Sequence, residues 1–177
     1  QPAPTIARWQ GEHSDAETPN TTPTLVRDDP AIDFDWDDQA PFTGMPREHW
    51  SARWTRTLNF DAAYYRLTTT TDDGVRVWVD GNLIIDQWTP NDSQSFFADV
   101  NLAAGPHTLK MEFYNRTGKA VARLAWQKMN TTDLVAVLNE GDPGWTHGGP
   151  ASGWNTVYYG NGGRSRWTLN HSSYWAR

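Results

Sequence analysis

The chain has 177 residues, enough for one sizeable domain or one domain and a fragment of a second, and its 15 Lys and Arg face 21 Asp and Glu for a net charge of -6. Without a basic surplus to release counterions it does not suit nucleic acid as a main partner, and no apolar run approaches the roughly 18 residues of a membrane span. The absence of cysteine removes disulfides, thiolate catalysis and zinc–cysteine sites, while 11 Trp supply the large buried area that a folded core needs.

The first residues, Gln1-Pro2-Ala3-Pro4, lack an initiating Met and an apolar h-region, and read as a processed N-terminus. Asp33-Phe34-Asp35-Trp36-Asp37-Asp38 follows, with an aromatic residue between successive acids. It lacks the Asp-x-Asp-x-Asp-Gly frame and distal Glu of a calcium loop. Trp50, Ala52 and Trp54 then alternate with Ser51, Arg53 and Thr55, the period of a half-buried strand. Ala63 to Thr71 is a second run, dense in Tyr and Thr. Val75, Val77 and Val79 alternate with Arg76, Trp78 and Asp80, and Asp80-Gly81 leads into Leu83-Ile84-Ile85. That order of alternation, Asp-Gly and apolar run predicts a hairpin. Ser95 to Leu102, His107 to Tyr114 and Ala120 to Gln127 are further strands, separated by Gly105-Pro106 and Thr117-Gly118. No window shows helical periodicity. The spacing predicts an all-β antiparallel sandwich over residues 1–130.

Beyond Thr131 the pattern changes. Leu134 to Leu138 predicts one more strand, and a Gly-, Ser-, Asn- and Trp-rich stretch runs from there to Arg177. Its four tryptophans, Trp145, Trp154, Trp167 and Trp175, stand among few aliphatic residues, and some forty such residues rarely fold alone. Residues 131–177 are therefore expected to be the start of a second β-domain, cut short, or an extension packed on the first.

Several stretches in series carry a family resemblance. They are Val26 to Trp36, Trp50-Ser51-Ala52-Arg53-Trp54-Thr55-Arg56-Thr57-Leu58, Thr71-Asp72-Asp73-Gly74 through Gly81, and Ile85-Asp86-Gln87-Trp88. His107 to Asn115 and Ala122-Arg123-Leu124-Ala125-Trp126 close the series. Their order resembles the PA-fourteen domain family, named for the N-terminal part of the anthrax protective antigen and related to yeast flocculins and epithelial adhesins. The resemblance covers about Ala7 to Gln127 and implies a β-sandwich module of extracellular glycosidases, adhesins, toxins or proteases. One departure is His13-Ser14-Asp15 after Trp9-Gln10-Gly11-Glu12, where the family often has an aromatic-rich segment; a surface edge is expected to change there. The tail resembles the opening of the β-domains at the C-terminus of golvesin-like proteins and xanthan lyases, through Asn139 to Trp145, Trp154, Tyr158-Tyr159-Gly160 and Arg166-Trp167.

The resemblance also implies a metal. In calcium-dependent members two adjacent aspartates, here Asp72 and Asp73, are joined by a cis peptide and share one calcium ion. Calcium takes six to eight oxygen ligands, which carboxylates, amides and carbonyls supply. In the flocculin-like members an Asn at a strand end completes the site with backbone carbonyls of the following loop. Asn115 holds that place here, with Thr117 and Lys119 as the carbonyl candidates. The loop Arg116 to Ala120 departs from the flocculin pattern, which bears on the choice of sugar. Glycans or monosaccharides would bind at Asp72, Asp73, Asn115 and Lys119, with Trp88 offering an indole face. Asp and Gly also form turns on their own account, so the same residues admit a plain structural reading.

Other chemistry finds little support. Five histidines are scattered at 13, 49, 107, 147 and 171 without a metal-binding spacing, and neither a Gly-x-Ser-x-Gly elbow nor a phosphate loop occurs. The acidic-aromatic segment 33–38 is expected to pack its rings and leave its acids in water. Trp36, Trp50, Trp54, Trp78 and Trp126 are expected in the core. Taken together, the expectation is a non-catalytic, secreted or surface-exposed carbohydrate-binding module of a larger protein, monomeric when isolated and dependent on calcium. The alternative is a spacer or protein-docking module with the same fold and no sugar.

Overall fold

In the computed structural model, which describes residues 8–20, 22–130 and the backbone of 155–159 and 165–169, the alternating runs are strands. They are β1 (Trp9–Ser14), β2 (Leu25–Asp29), β3 (Asp33–Asp37), β4 (Trp50–Phe60), β5 (Ala63–Asp72) and β6 (Val75–Val79). After these come β7 (Asn82–Gln87), β8 (Gln94–Leu102), β9 (Gly105–Asn115), β10 (Ala120–Lys128), β11 (Asn155–Tyr159) and β12 (Ser165–Leu169). One sheet has the order β2-β1-β4-β9-β6-β7 and the other β12-β11-β8-β5-β10-β3, with every neighbouring pair antiparallel. The two pack as a sandwich, so each strand turns alternate residues inward. No helix among the described residues is long and apolar enough to cross a membrane.

The parity of each strand fixes the core. From the first sheet come Trp50, Ala52 and Trp54, Leu109, Met111 and Phe113, and Val75, Val77 and Val79. Opposite them lie Tyr65, Leu67, Ala98, Val100, Leu102, Ala122 and Leu124. The acidic-aromatic segment is β3, an edge strand against β10. Phe34 and Trp36 stack on each other at 4.7 Å, and Phe34 lies 5.7 Å from Trp54 while Trp36 meets Trp50 edge-on at 5.0 Å. Such ring pairs add about 0.5–1.5 kcal/mol each beyond the area they bury. Asp33 and Asp35 point out and pair with Arg123 at 3.0 and 3.1 Å.

Two expectations are corrected. Trp78 is not a core residue: Val77 and Val79 face inward, so Trp78 stands on the outer face, half-buried, with the Lys110 ammonium 3.8 Å above its ring. His13 is not at a surface edge either. It lies on β1 between β2 and β4, shares the inward parity of Trp9 and Gly11, and is completely buried.

The Asp80-Gly81 hairpin joins β6 to β7 with positive φ at both residues, 49° and 80°, as a primed turn requires. The described backbone of β11 and β12 forms a hairpin whose first strand runs beside β8, with Val157 opposite Asp99 and Tyr159 opposite Phe97. The strand expected at Leu134 to Leu138, Trp145, Trp154 and Trp175 lie outside the described residues, and of Trp167 only the backbone is described.

Candidate metal centre and binding loops

β5 runs directly into Asp72, and the turn Asp72-Asp73-Gly74 hands the chain from the second sheet to the first. The peptide bond between the two aspartates is cis. Asp73 is held from three sides. Its Oδ1 accepts the Asn91 amide at 3.2 Å, its Oδ2 accepts the Arg116 amide at 2.7 Å, and its carbonyl accepts the Asn91 side-chain amide at 2.7 Å. Asn91 in turn accepts the Gln94 amide at 3.1 Å, which ties the β7–β8 loop to the turn.

Asp72 is buried and pairs with Val121 along the β5–β10 ladder, but its carboxyl makes no hydrogen bond or ion pair among the described residues, in contrast to that of Asp73. Burial pushes its carboxyl up to about 6; the neighbouring Asp73 and Asp92 carboxylates add to this, and Lys119 opposes it. A desolvated carboxyl beside like charges is an electrostatic deficit that a cation would remove.

Asn115 ends β9 and is wholly buried. Its Nδ2 donates to the Arg47 carbonyl at 2.8 Å, whereas its Oδ1 has no partner. Buried side-chain oxygens nearly always have one, so an orphaned amide oxygen one residue before the Arg116 amide that caps Asp73 needs an explanation. Further bonds draw the β3–β4 connection into the same place. The His49 amide donates to the Arg116 carbonyl at 3.1 Å, and the Gly118 amide donates to Glu48 Oε1 at 3.0 Å.

The structure thus brings Asp72, Asp73 and Asn115 together. Thr117 and Lys119 follow in the exposed β9–β10 connection, where the Lys119 ammonium pairs with Asp37 at 3.1 Å. Trp88 is half-buried, tilted against Tyr114 at 4.8 Å, and the Arg76 guanidinium lies 4.8 Å from its ring centre. Among the described residues no three His, Asp or Glu side chains form a metal cluster; this centre has two adjacent carboxylates and an amide.

Comparison with known proteins places this geometry in a family. Residues 10–136, more than two thirds of the chain, match the PA14 domain. The chain belongs to the PA14 domain family. Anti-sigma-I factor RsgI3 of Acetivibrio thermocellus is 40% identical to it over an alignment of 106 residues that covers 58% of this chain and 16% of that protein. A solved anti-sigma factor domain-containing protein superposes with a TM-score of 0.66 at 34% identity, covering 71% of this chain and 44% of the other. The PA14 domain described here therefore spans less than half the length of either relative. A PA14 sugar-binding domain from an RTX adhesin shares the fold, with a TM-score of 0.56 at 13% identity over 70% of this chain and 90% of that one.

Several residues that build the site in this PA14 domain are not marked by any sequence motif. Asn91 and Asp92 carry a signal in hindsight, since Pro90-Asn91-Asp92-Ser93 is a loop of residues that bond their own backbone. Arg47 acts through its carbonyl, which leaves no trace in residue type. Glu17 accepts from His49 Nδ1 at 2.6 Å and from Arg116 at 3.0 and 3.1 Å, and these bonds hold its carboxyl below the usual range.

Proposed function

We propose that this PA14 domain is a non-catalytic carbohydrate-binding module that holds calcium at Asp72, Asp73 and Asn115 and works as part of a larger secreted or surface protein. The observation that carries the reading is the wholly buried Asn115 Oδ1 without a partner, one residue before the Arg116 amide that caps Asp73. An unpaired acceptor, an unpaired buried carboxyl and a second carboxylate form an all-oxygen donor set, which suits a hard cation. Thr117 and Lys119 would add backbone carbonyls. A bound calcium ion would supply a Lewis-acidic centre at which vicinal sugar hydroxyls replace water.

The chain's own residues do the rest. Asn91 and Arg116 fix Asp73 through backbone and side-chain bonds, and Arg47 fixes the Asn115 amide so that its oxygen is presented. Asp72 and Asp73 accept hydrogen bonds from the same hydroxyls. Trp88 braces Tyr114 and leaves part of its indole for the CH face of a sugar. The adhesin domain described as sugar-binding supports the reading at the level of the fold.

So small a set of contacts in an open site gives dissociation constants on the order of 1 mM, about -4 kcal/mol, and useful avidity then needs several copies. Binding of a mono- and oligosaccharide array should be seen with calcium and be lost with chelator. Asn115→Ala should abolish it while leaving the far-ultraviolet circular dichroism unchanged. A blank array on calcium-loaded protein would favour the second reading, a ligand-free spacer or docking module, to which the anti-sigma factor relatives lend weight.

A further inference from the structure

Beside the Asp72–Asp73–Asn115 centre lies an open cleft of about 450 Å³ lined by Asp38, Pro46, Arg47, Glu48, His49 and Gly118. Its volume falls within the roughly 300–1,000 Å³ usual for small-molecule sites. Two hydrogen bonds join its walls to the centre, Asn115 to the Arg47 carbonyl and the His49 amide to the carbonyl of Arg116, whose own amide caps Asp73, and a third, from the Gly118 amide to Glu48, ties one wall to the other. Resting on the carbohydrate reading above, we propose that this cleft receives the second residue of a glycan, so that the module selects an oligosaccharide end over a monosaccharide.

The polar groups of the cleft divide by whether they are already engaged. Glu48 Oε1 is taken by the Gly118 amide, which leaves its second oxygen to accept a hydroxyl. His49 Nδ1 donates to the Glu17 carboxylate at 2.6 Å, which leaves Nε2 to meet a ligand hydroxyl, and the side chain is 62% exposed. The Arg47 guanidinium is exposed and has no carboxylate partner among the described residues, although Asp38 and Glu48 line the same cleft. It therefore keeps its donors for a ligand. Donors and acceptors side by side, with the Pro46 ring as an apolar patch, match the alternating hydroxyl and CH surfaces of a pyranose. The acids in the wall disfavour an anionic ligand and favour a neutral sugar.

Calorimetry in saturating calcium tests this with glucose, galactose and mannose against cellobiose, galactobiose and mannobiose. For the wild type, at least one disaccharide should bind about tenfold more tightly than its monosaccharide. Arg47→Ala should remove most of that gain while leaving the monosaccharide constant and the calcium-induced rise in Tm unchanged, because only the Arg47 backbone touches Asn115. Arg47→Lys keeps a charge without the fork and should restore part of the gain. Equal mono- and disaccharide affinities in the wild type would overturn the subsite and leave the carbohydrate reading standing. An Arg47→Ala variant that weakens both equally, or neither, would do the same. Absence of binding by every sugar would overturn both.

Discussion

Gly74→Ala should cost about 3 kcal/mol of stability, lower Tm by roughly 6–12 °C and remove calcium binding with it. A Cβ at Gly74 would stand 2.2 Å from Tyr114 Cε1, 2.9 Å from Cδ1 and 3.0 Å from Cζ. Real Cβ atoms do not approach carbon so closely, so the ring or the turn must move. Tyr114 has little room to yield, since it is 2% exposed and Trp88 packs on it at 4.8 Å. The Gly74 carbonyl also accepts the Tyr114 amide at 3.1 Å, which fixes the distance between the two strands. A shift here displaces Asp73 on one side and Asn115 on the other. Denaturant unfolding of Gly74→Ala beside the wild type measures the cost, and a loss under 1 kcal/mol would show that the contact relaxes freely.

A second large effect is expected from pH. His13 is fully buried among Phe42 at 5.3 Å, Trp54 at 5.8 Å and Trp50 at 6.3 Å, and neither ring nitrogen has a partner. Burial, helped by the nearby Arg27 charge, lowers its pKa from 6.5 to about 4. Above pH 6.5 the ring is neutral in both states. As pH falls from 6.5 to about 4 the unfolded chain takes up a proton that the folded one refuses, so stability is lost across that window, by about 3 kcal/mol in all.

Asp72 acts in the opposite sense. Its raised carboxyl holds a proton in the folded state between about 6 and 3.8, and stability rises as pH falls through that range. The wild-type curve therefore mixes the two. His13→Leu isolates the histidine, because an apolar side chain of similar volume removes two unsatisfied nitrogens and leaves Asp72 alone. The variant should match or exceed wild-type stability at pH 7.5 and exceed it by about 3 kcal/mol near pH 4. A difference that does not change with pH would mean that His13 finds a proton partner on folding.

Strand parity made most of the sandwich legible. Trp50, Ala52 and Trp54 point inward as their alternation implies, and Asp80-Gly81 turns the hairpin it announces. The same rule, applied without regard to the size of the indole, would have put Trp78 on the outer face, because its neighbours Val77 and Val79 take the inner one. His13 was hidden for another reason. A polar residue one step from Ser14 reads as a surface position until β1 is known to lie inside a sheet, between β2 and β4.

At the site, Asp72, Asp73 and Asn115 stood out through adjacency and family pattern. The bonds that present them did not, because Asn91 to Asp73 spans 18 residues and Asn115 to Arg47 spans 68. One of those bonds uses a backbone carbonyl that any residue would supply. The residue types marked the candidate ligands, and only the fold showed that the Asn115 Oδ1 is buried and left unpaired.

Thermal unfolding in millimolar calcium and in chelator tests the central claim most directly, because an ion that binds only the folded state stabilises it by mass action. At a hundred times the dissociation constant the gain is about 2.7 kcal/mol, a rise in Tm of roughly 5–10 °C for a chain of this size. The wild type should show that rise, and Asp72→Ala should melt at the same temperature with and without calcium. A wild-type curve unmoved between calcium and chelator would contradict the assignment of Asp72, Asp73 and Asn115 as a calcium site.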